Sequence, residues 1–229
     1  MLTLGDGTVT LLLGTAAALA SFHTLIGVDH SIPFIVLGRA RGWSLRRTLG
    51  VTGACGVAHV ASSVLIGSLG VLLGVTLDRL TWLESTRGWL AAGLMIGFGL
   101  AYAAWGVWRR LRWHTHTHLH AHADGTVHTH PHDIGRGVTP WALFLIFAFG
   151  PCEPLIPLMM VPAVERSWLV LAAVIGVFGF VTLGAMLVAV TLGYLSLTHA
   201  RLGAVEQRID VLAGLTIAAS GAAVLFLGV

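Results

Sequence analysis

Six stretches of the chain, about 9–38, 48–76, 88–111, 139–164, 167–197 and 210–229, are apolar almost throughout. Crossing about 30 Å of hydrocarbon as a helix takes roughly 20 residues, and each stretch reaches that length. A backbone immersed in lipid must pair its own amides and carbonyls, so a chain patterned this way is restricted to a bundle of spanning helices. An outer-membrane barrel would alternate apolar and polar residues over segments of about 10, and these stretches do not. Bulk composition agrees: of 229 residues 56% are hydrophobic and only 10% charged, with a mean hydropathy of +0.86. The expected fold class is an all-α integral membrane protein with six transmembrane helices.

The thirteen basic residues are all arginines, and they collect in particular loops. Arg39, Arg41, Arg46 and Arg47 follow the first stretch, Arg109, Arg110, Arg112 and Arg136 the third, and Arg201 and Arg208 the fifth. By the positive-inside rule these loops face the cytoplasm, which leaves both termini and the loops near Asp78–Arg87 and Glu165–Arg166 outside an inner cell membrane. Met1–Thr10 carries Asp6 and no basic residue, so the first stretch reads as a retained span and not a cleaved signal peptide. The expected partners are membrane lipid and a divalent metal ion, with a homo-oligomer or a metallochaperone as protein partners, and no nucleic acid. The tryptophans, Trp43 to Trp168, sit near segment ends as interfacial anchors do.

The two halves share punctuation. Gly27-Val28-Asp29-His30-Ser31-Ile32-Pro33 in the first stretch is matched, with one insertion, by Gly150-Pro151-Cys152-Glu153-Pro154-Leu155-Ile156-Pro157 in the fourth. Each match opens a group of three segments, and an odd number of spans inserts the second group upside down. The expected organisation is a first three-helix repeat over 1–111, a cytoplasmic histidine-rich loop over 112–138 and an inverted second repeat over 139–229. A helix of 30 residues would be about 45 Å long, well beyond the hydrocarbon, so the first span should break near Gly27 and Pro33. Three prolines predict a break in the fourth.

Ionisable residues inside such spans are costly to bury and mark function by default. His23 and His30 are seven apart, two helical turns, with Asp29 beside His30. Cys55 and His59, four apart, share a face of the second span, and Cys152 and Glu153 stand among the prolines of the fourth. Imidazole, carboxylate and thiolate together suit Ni, Co or Zn better than Ca or Mg. Both cysteines also fit as small packing residues. The loop adds eight histidines, His114, His116, His118, His120, His122, His128, His130 and His132, a density that suits metal capture in many geometries. No nucleotide-binding glycine motif accompanies them, so the energy for movement would come from a gradient or a partner.

His23 with Asp29-His30, the glycine-rich second span with His59, and the histidine-rich loop resemble the nickel/cobalt transporter superfamily, its efflux branch and the related urease-accessory-type membrane proteins. The resemblance implies a permease of six or more helices that moves Ni²⁺ or Co²⁺, with His23, Asp29, His30 and His59 as ligands. Five residues separate His23 from Asp29, where the uptake permeases of that family have four. Gly-Pro-Cys-Glu-Pro is similar instead to a wider group that includes thiol-disulfide relay proteins and sulfite-type exporters.

The expected function is a divalent-cation permease, not an enzyme, with export as the direction, no permanently bound cofactor, and Ni²⁺, Co²⁺ or Zn²⁺ as the transported ion. A transmembrane electron relay through Cys55 and Cys152 is the alternative. An anion exporter would need basic groups at the midplane, where this reading places no arginine.

Overall fold

The first apolar stretch folds as two helices joined by a tight turn. α1 (Asp6–Ile26) stops at Gly27, a 3₁₀ turn follows at Val28–His30, and α2 (Ile32–Ala40) resumes the path. Pro33 lies in the first turn of α2, where its missing N–H leaves no bond unmade. Gly27 donates to His23 O at 2.9 Å and accepts from His30 N–H at 3.1 Å, so the break closes on itself. A Cβ on Gly27 would stand 2.8 Å from His23 O and 2.9 Å from Asp29 Oδ1, and would collide with the His30 ring. Only glycine fits there.

The computed structural model describes residues 5–112, 120–121, 127–128, 138–152, 154–199 and 208–227. After α2 come α3 (Leu45–Leu72) and α4 (Leu77–Arg112), a two-residue antiparallel ladder of β1 (His120–Ala121) with β2 (Val127–His128), and then α5 (Val138–Phe149). The fourth stretch breaks as the first does: α5 ends before Gly150 and α6 (Leu155–Val164) begins after Pro154. α7 (Trp168–His199) and α8 (Ile209–Leu227) complete the chain. Among the described residues, five helices, α1, α3, α4, α7 and α8, are long and apolar enough to cross a membrane. This is a multi-pass membrane protein, helical apart from that short ladder.

The outer surface is built for lipid: Phe180 is 81% exposed, Leu169 85% and Phe226 78%. Inside are two apolar clusters. One gathers Phe34, Cys55, Leu143, Met186 and Ile217, and the other Ala20, Cys152, Leu155, Met159 and Phe178. α2 and α6 end alike, each in a left-handed residue followed by a six-to-one bond. Gly42 (φ 60°) precedes Trp43 N–H to Gly38 O at 2.9 Å, and Arg166 (φ 52°) precedes Ser167 N–H to Pro162 O at 2.9 Å.

Three expectations are corrected. Residues 78–87 are helix and not loop, because α4 starts at Leu77 and carries them within its first turns. Arg87 is consequently a buried arginine inside a spanning helix, where none was expected. Trp43 is buried at 6% exposure and Trp105 packs against the core, so neither is an interfacial anchor in lipid. Both instead serve as platforms for arginines: Arg47 lies 5.1 Å from the Trp43 ring, Arg41 5.0 Å and Arg109 5.2 Å from that of Trp105. Arg109 also pairs with Asp210 at 3.4 Å, which draws the Arg-bearing ends of α2, α4 and α8 onto one face.

α4 and α8 meet with backbone against backbone. A Cβ on Gly99 would lie 2.5 Å from Ala218 N and 2.6 Å from Gly214 O, and one on Gly214 2.5 Å from Ala103 N. Small residues at such crossings allow the close approach that holds helices together in lipid. Gly99→Leu should therefore lower the unfolding temperature in detergent, by the 1–3 kcal/mol or more typical of overpacking. Gly14→Ala, whose added methyl group meets nothing, should not lower it.

Candidate metal centre

Three imidazoles converge where the first break meets α3. His23 sits in the last turn of α1, His30 ends the 3₁₀ turn, and His59 lies near the middle of α3. Ring centroids are 4.7 Å apart for His23–His30, 5.1 Å for His30–His59 and 6.3 Å for His23–His59. One ligand nitrogen from each lies within 4.8 Å of the other two. Nitrogens bound to one ion at about 2.1 Å are at most about 4.2 Å apart, so the rings would draw in slightly on loading.

The nitrogens facing this space are unsatisfied. His30 and His59 are each only 2% exposed. His23 Nε2 and His30 Nε2 are buried with no hydrogen-bond partner among the described residues, and His59 brings a buried ring nitrogen beside them. Leaving a buried donor or acceptor unpaired costs about 1–3 kcal/mol each, and three imidazoles with such atoms side by side are hard to explain without a shared ligand.

Asp29 stands behind the cluster. His30 Nδ1–H donates to Asp29 Oδ1 at 2.8 Å, which fixes the tautomer so that the Nε2 lone pair points to the other two rings. A carboxylate orienting a histidine from behind is the usual supporting arrangement for a metal-ligating imidazole. Asp29, expected as a ligand, is placed as the orienting group of His30. The resulting three-nitrogen donor set suits Ni²⁺, Co²⁺ or Zn²⁺ and is a poor one for the hard, oxygen-seeking Ca²⁺ and Mg²⁺.

The second break supplies the facing wall through its backbone. A Cβ on Gly150 would lie 3.2 Å from His59 Nδ1. Pro151 and Pro154 line a cavity of about 420 Å³ together with His23, Asp29, His30 and Ser85. Cys152 is not part of the triad: it is fully buried in the cluster around Phe178. Cys55 is 1% exposed and packs in the cluster around Phe34, and neither cysteine forms a disulfide. Glu153 and the loop residues His114, His116, His118, His122, His130 and His132 lie outside the described residues, as do the side chains of His120 and His128.

What sequence reasoning missed is the support for that second break. Arg87 of α4 donates to Ala148 O at 3.2 Å, Gly150 O at 3.3 Å and Ser62 Oγ at 2.8 Å, and pairs with Glu84 one turn earlier. Cys152 N–H donates to Ser63 Oγ at 3.0 Å and Glu84 Oε2 at 3.2 Å, and Ser63 Oγ–H itself to Glu84 Oε2 at 3.0 Å. Side chains of α3 and α4 thus take up backbone groups that the prolines leave without helical partners. A signal was available: Glu84 and Arg87 are spaced i, i+3, the spacing of a helical ion pair and not of a loop.

Asp29→Asn should keep the fold and weaken Co²⁺ binding by about 10- to 100-fold, the usual effect of losing a group behind a ligand, read from cobalt absorption titrations. Arg87→Met should destabilise by about 3–5 kcal/mol through the unpaired Glu84, and adding Glu84→Gln should recover part of it; thermal unfolding of both variants checks this. No protein-family model, curated protein or solved structure matches the chain, so the case for its function rests on this geometry.

Proposed function

We propose that the chain is a membrane permease for divalent transition-metal ions, Ni²⁺ or Co²⁺ above others, working by alternating access around the His23/His30/His59 triad. The observation that carries this reading is the convergence of three buried imidazoles, one of them, His30, oriented by Asp29, at a helix break among the apolar helices. Broken helices bordering a central cavity are where secondary transporters hold their solutes.

Contacts between elements support two inverted three-segment repeats, with α1–α2, α3 and α4 equivalent to α5–α6, α7 and α8. Under that exchange, the α4–α8 and α3–α7 contacts map onto themselves, α1–α7 onto α3–α5, and α2–α8 onto α4–α6. The two broken stretches then count as the first and fourth of six spans. The positive-inside rule puts the face bearing Arg41 and Arg109 in the cytoplasm of a cell-membrane protein, with the histidine-rich loop on the same side. There the loop collects the ion and hands it to the triad, and export is the direction this implies. Capture by imidazole fits both places.

Reconstituted into liposomes, the protein should move Co²⁺ and Ni²⁺ faster than Mg²⁺ or Ca²⁺. His59→Ala and His30→Ala should each reduce that flux at least tenfold while the variants elute as the folded protein does. Unchanged flux in both would remove the site. Only neutral imidazole binds a metal, so Co²⁺ affinity should fall as the medium is acidified far enough to protonate the triad. A titration of Co²⁺ binding from neutral into acid pH tests the sign.

A further inference from the structure

A second cavity, of about 630 Å³, opens beside the first. It is lined by Asp78, Thr81, Trp82, Glu84 and Ser85 of α4 and by Pro154, Ile156 and Pro157 at the second break. Ser85 and Pro154 line both cavities, so the two share a wall or neck at these residues. Along α4, the residues facing the pair include Asp78, Thr81, Ser85 and Gly88. Their spacing of three and four makes one continuous stripe of a helix, with Glu84 at its edge. From Asp78 to Trp89 the helix rises about 16 Å at 1.5 Å per residue, so the stripe leads from the end of α4 remote from Arg109 to the triad.

The chemistry of the stripe fits a cation. Thr81 Oγ1 spends its proton on Leu77 O at 3.1 Å or Asp78 O at 3.0 Å, and Ser85 Oγ spends its own on Trp82 O at 2.9 Å. Each hydroxyl is left with oxygen lone pairs as its remaining hydrogen-bonding capacity. Asp78 adds a carboxylate at the mouth. Arg87 is turned away onto Glu84 and the carbonyls of the second break, and Arg79, exposed beside Asp78, is not among the lining residues. Two hydroxyl oxygens and a carboxylate on an otherwise apolar wall favour a hydrated divalent cation over an anion.

We propose that the Asp78–Thr81–Ser85 face of α4, closed by Pro154 and Pro157, is a water-filled conduit that carries a hydrated divalent cation between the Asp78 side of the membrane and the histidine triad, with Ser85 at its neck. The conduit rests on the permease reading above and adds to it the route on one side.

Ser85→Cys tests it in the full chain reconstituted into liposomes with Co²⁺ as the probe. A charged, membrane-impermeant methanethiosulfonate reacts with thiols that water reaches, and wild type supplies the control because Cys55 and Cys152 are 1% and 0% exposed. The expected result is labelling of Ser85→Cys, a fall in Co²⁺ flux of at least tenfold on labelling, recovery on reduction, and an unchanged Co²⁺ absorption spectrum at the triad. Thr81→Cys, at an exposed position in the wider cavity, should label faster and slow flux less, and it serves if the neck variant does not fold. Absence of labelling at both positions, or labelling at Ser85→Cys that leaves flux intact, overturns the conduit. Either result leaves Co²⁺ binding by the triad standing; the permease reading fails separately, if His59→Ala leaves binding and flux as they were.

Discussion

A helix interrupted inside lipid exposes amides and carbonyls that no solvent can satisfy, and the rest of this molecule is arranged around meeting that demand twice. The two interruptions are met differently. At Gly27 the chain is nearly self-sufficient, since the glycine bonds to His23 O on one side and to His30 N–H on the other. At Gly150 the prolines cannot donate, and the partners come from neighbours: Ser63 of α3, Glu84 and Arg87 of α4. Meeting the second demand places a guanidinium and a carboxylate in the interior of a spanning helix, tolerable because each neutralises the other and both are hydrogen-bonded.

This difference divides the labour between the halves. The first break, having no need of outside donors, is free to present His23 and His30 toward α3, and α3 answers with His59. The second break contributes shape: glycine at the position nearest His59, so that the wall can approach, and prolines that hold the cavity open. Ser63 and His59 lie one turn apart on α3, so the helix that bonds the second break also carries the third imidazole.

Much of this was legible in the sequence, for physical reasons that can be named. The length of the first apolar stretch forces a break, and Gly27 with Pro33 locates it. The seven-residue interval from His23 to His30 would align them on an intact helix; they meet instead across a helix end at Gly27 and a 3₁₀ turn, a local geometry that differs. The role of Asp29 was not readable, because spacing cannot say whether a carboxylate faces an ion or the back of an imidazole. Glu84 and Arg87 were assigned to a loop because charges at the end of an apolar run ordinarily mark the water boundary, and only the backbone carbonyls of Ala148 and Gly150, distant in sequence, reveal what they are for. Cys152 drew attention as a side chain, whereas its backbone N–H makes the bonds that tie it to α3 and α4.

The crossing of α4 and α8 has a mechanical corollary. Where Gly99 and Gly214 bring two main chains into direct touch, there is no layer of pliable side chains to absorb a slide, and packed surfaces of this kind resist shear. That seam belongs to the stiff part of the molecule. A change of shape would therefore fall on elements outside that seam, whose two helices move as one unit.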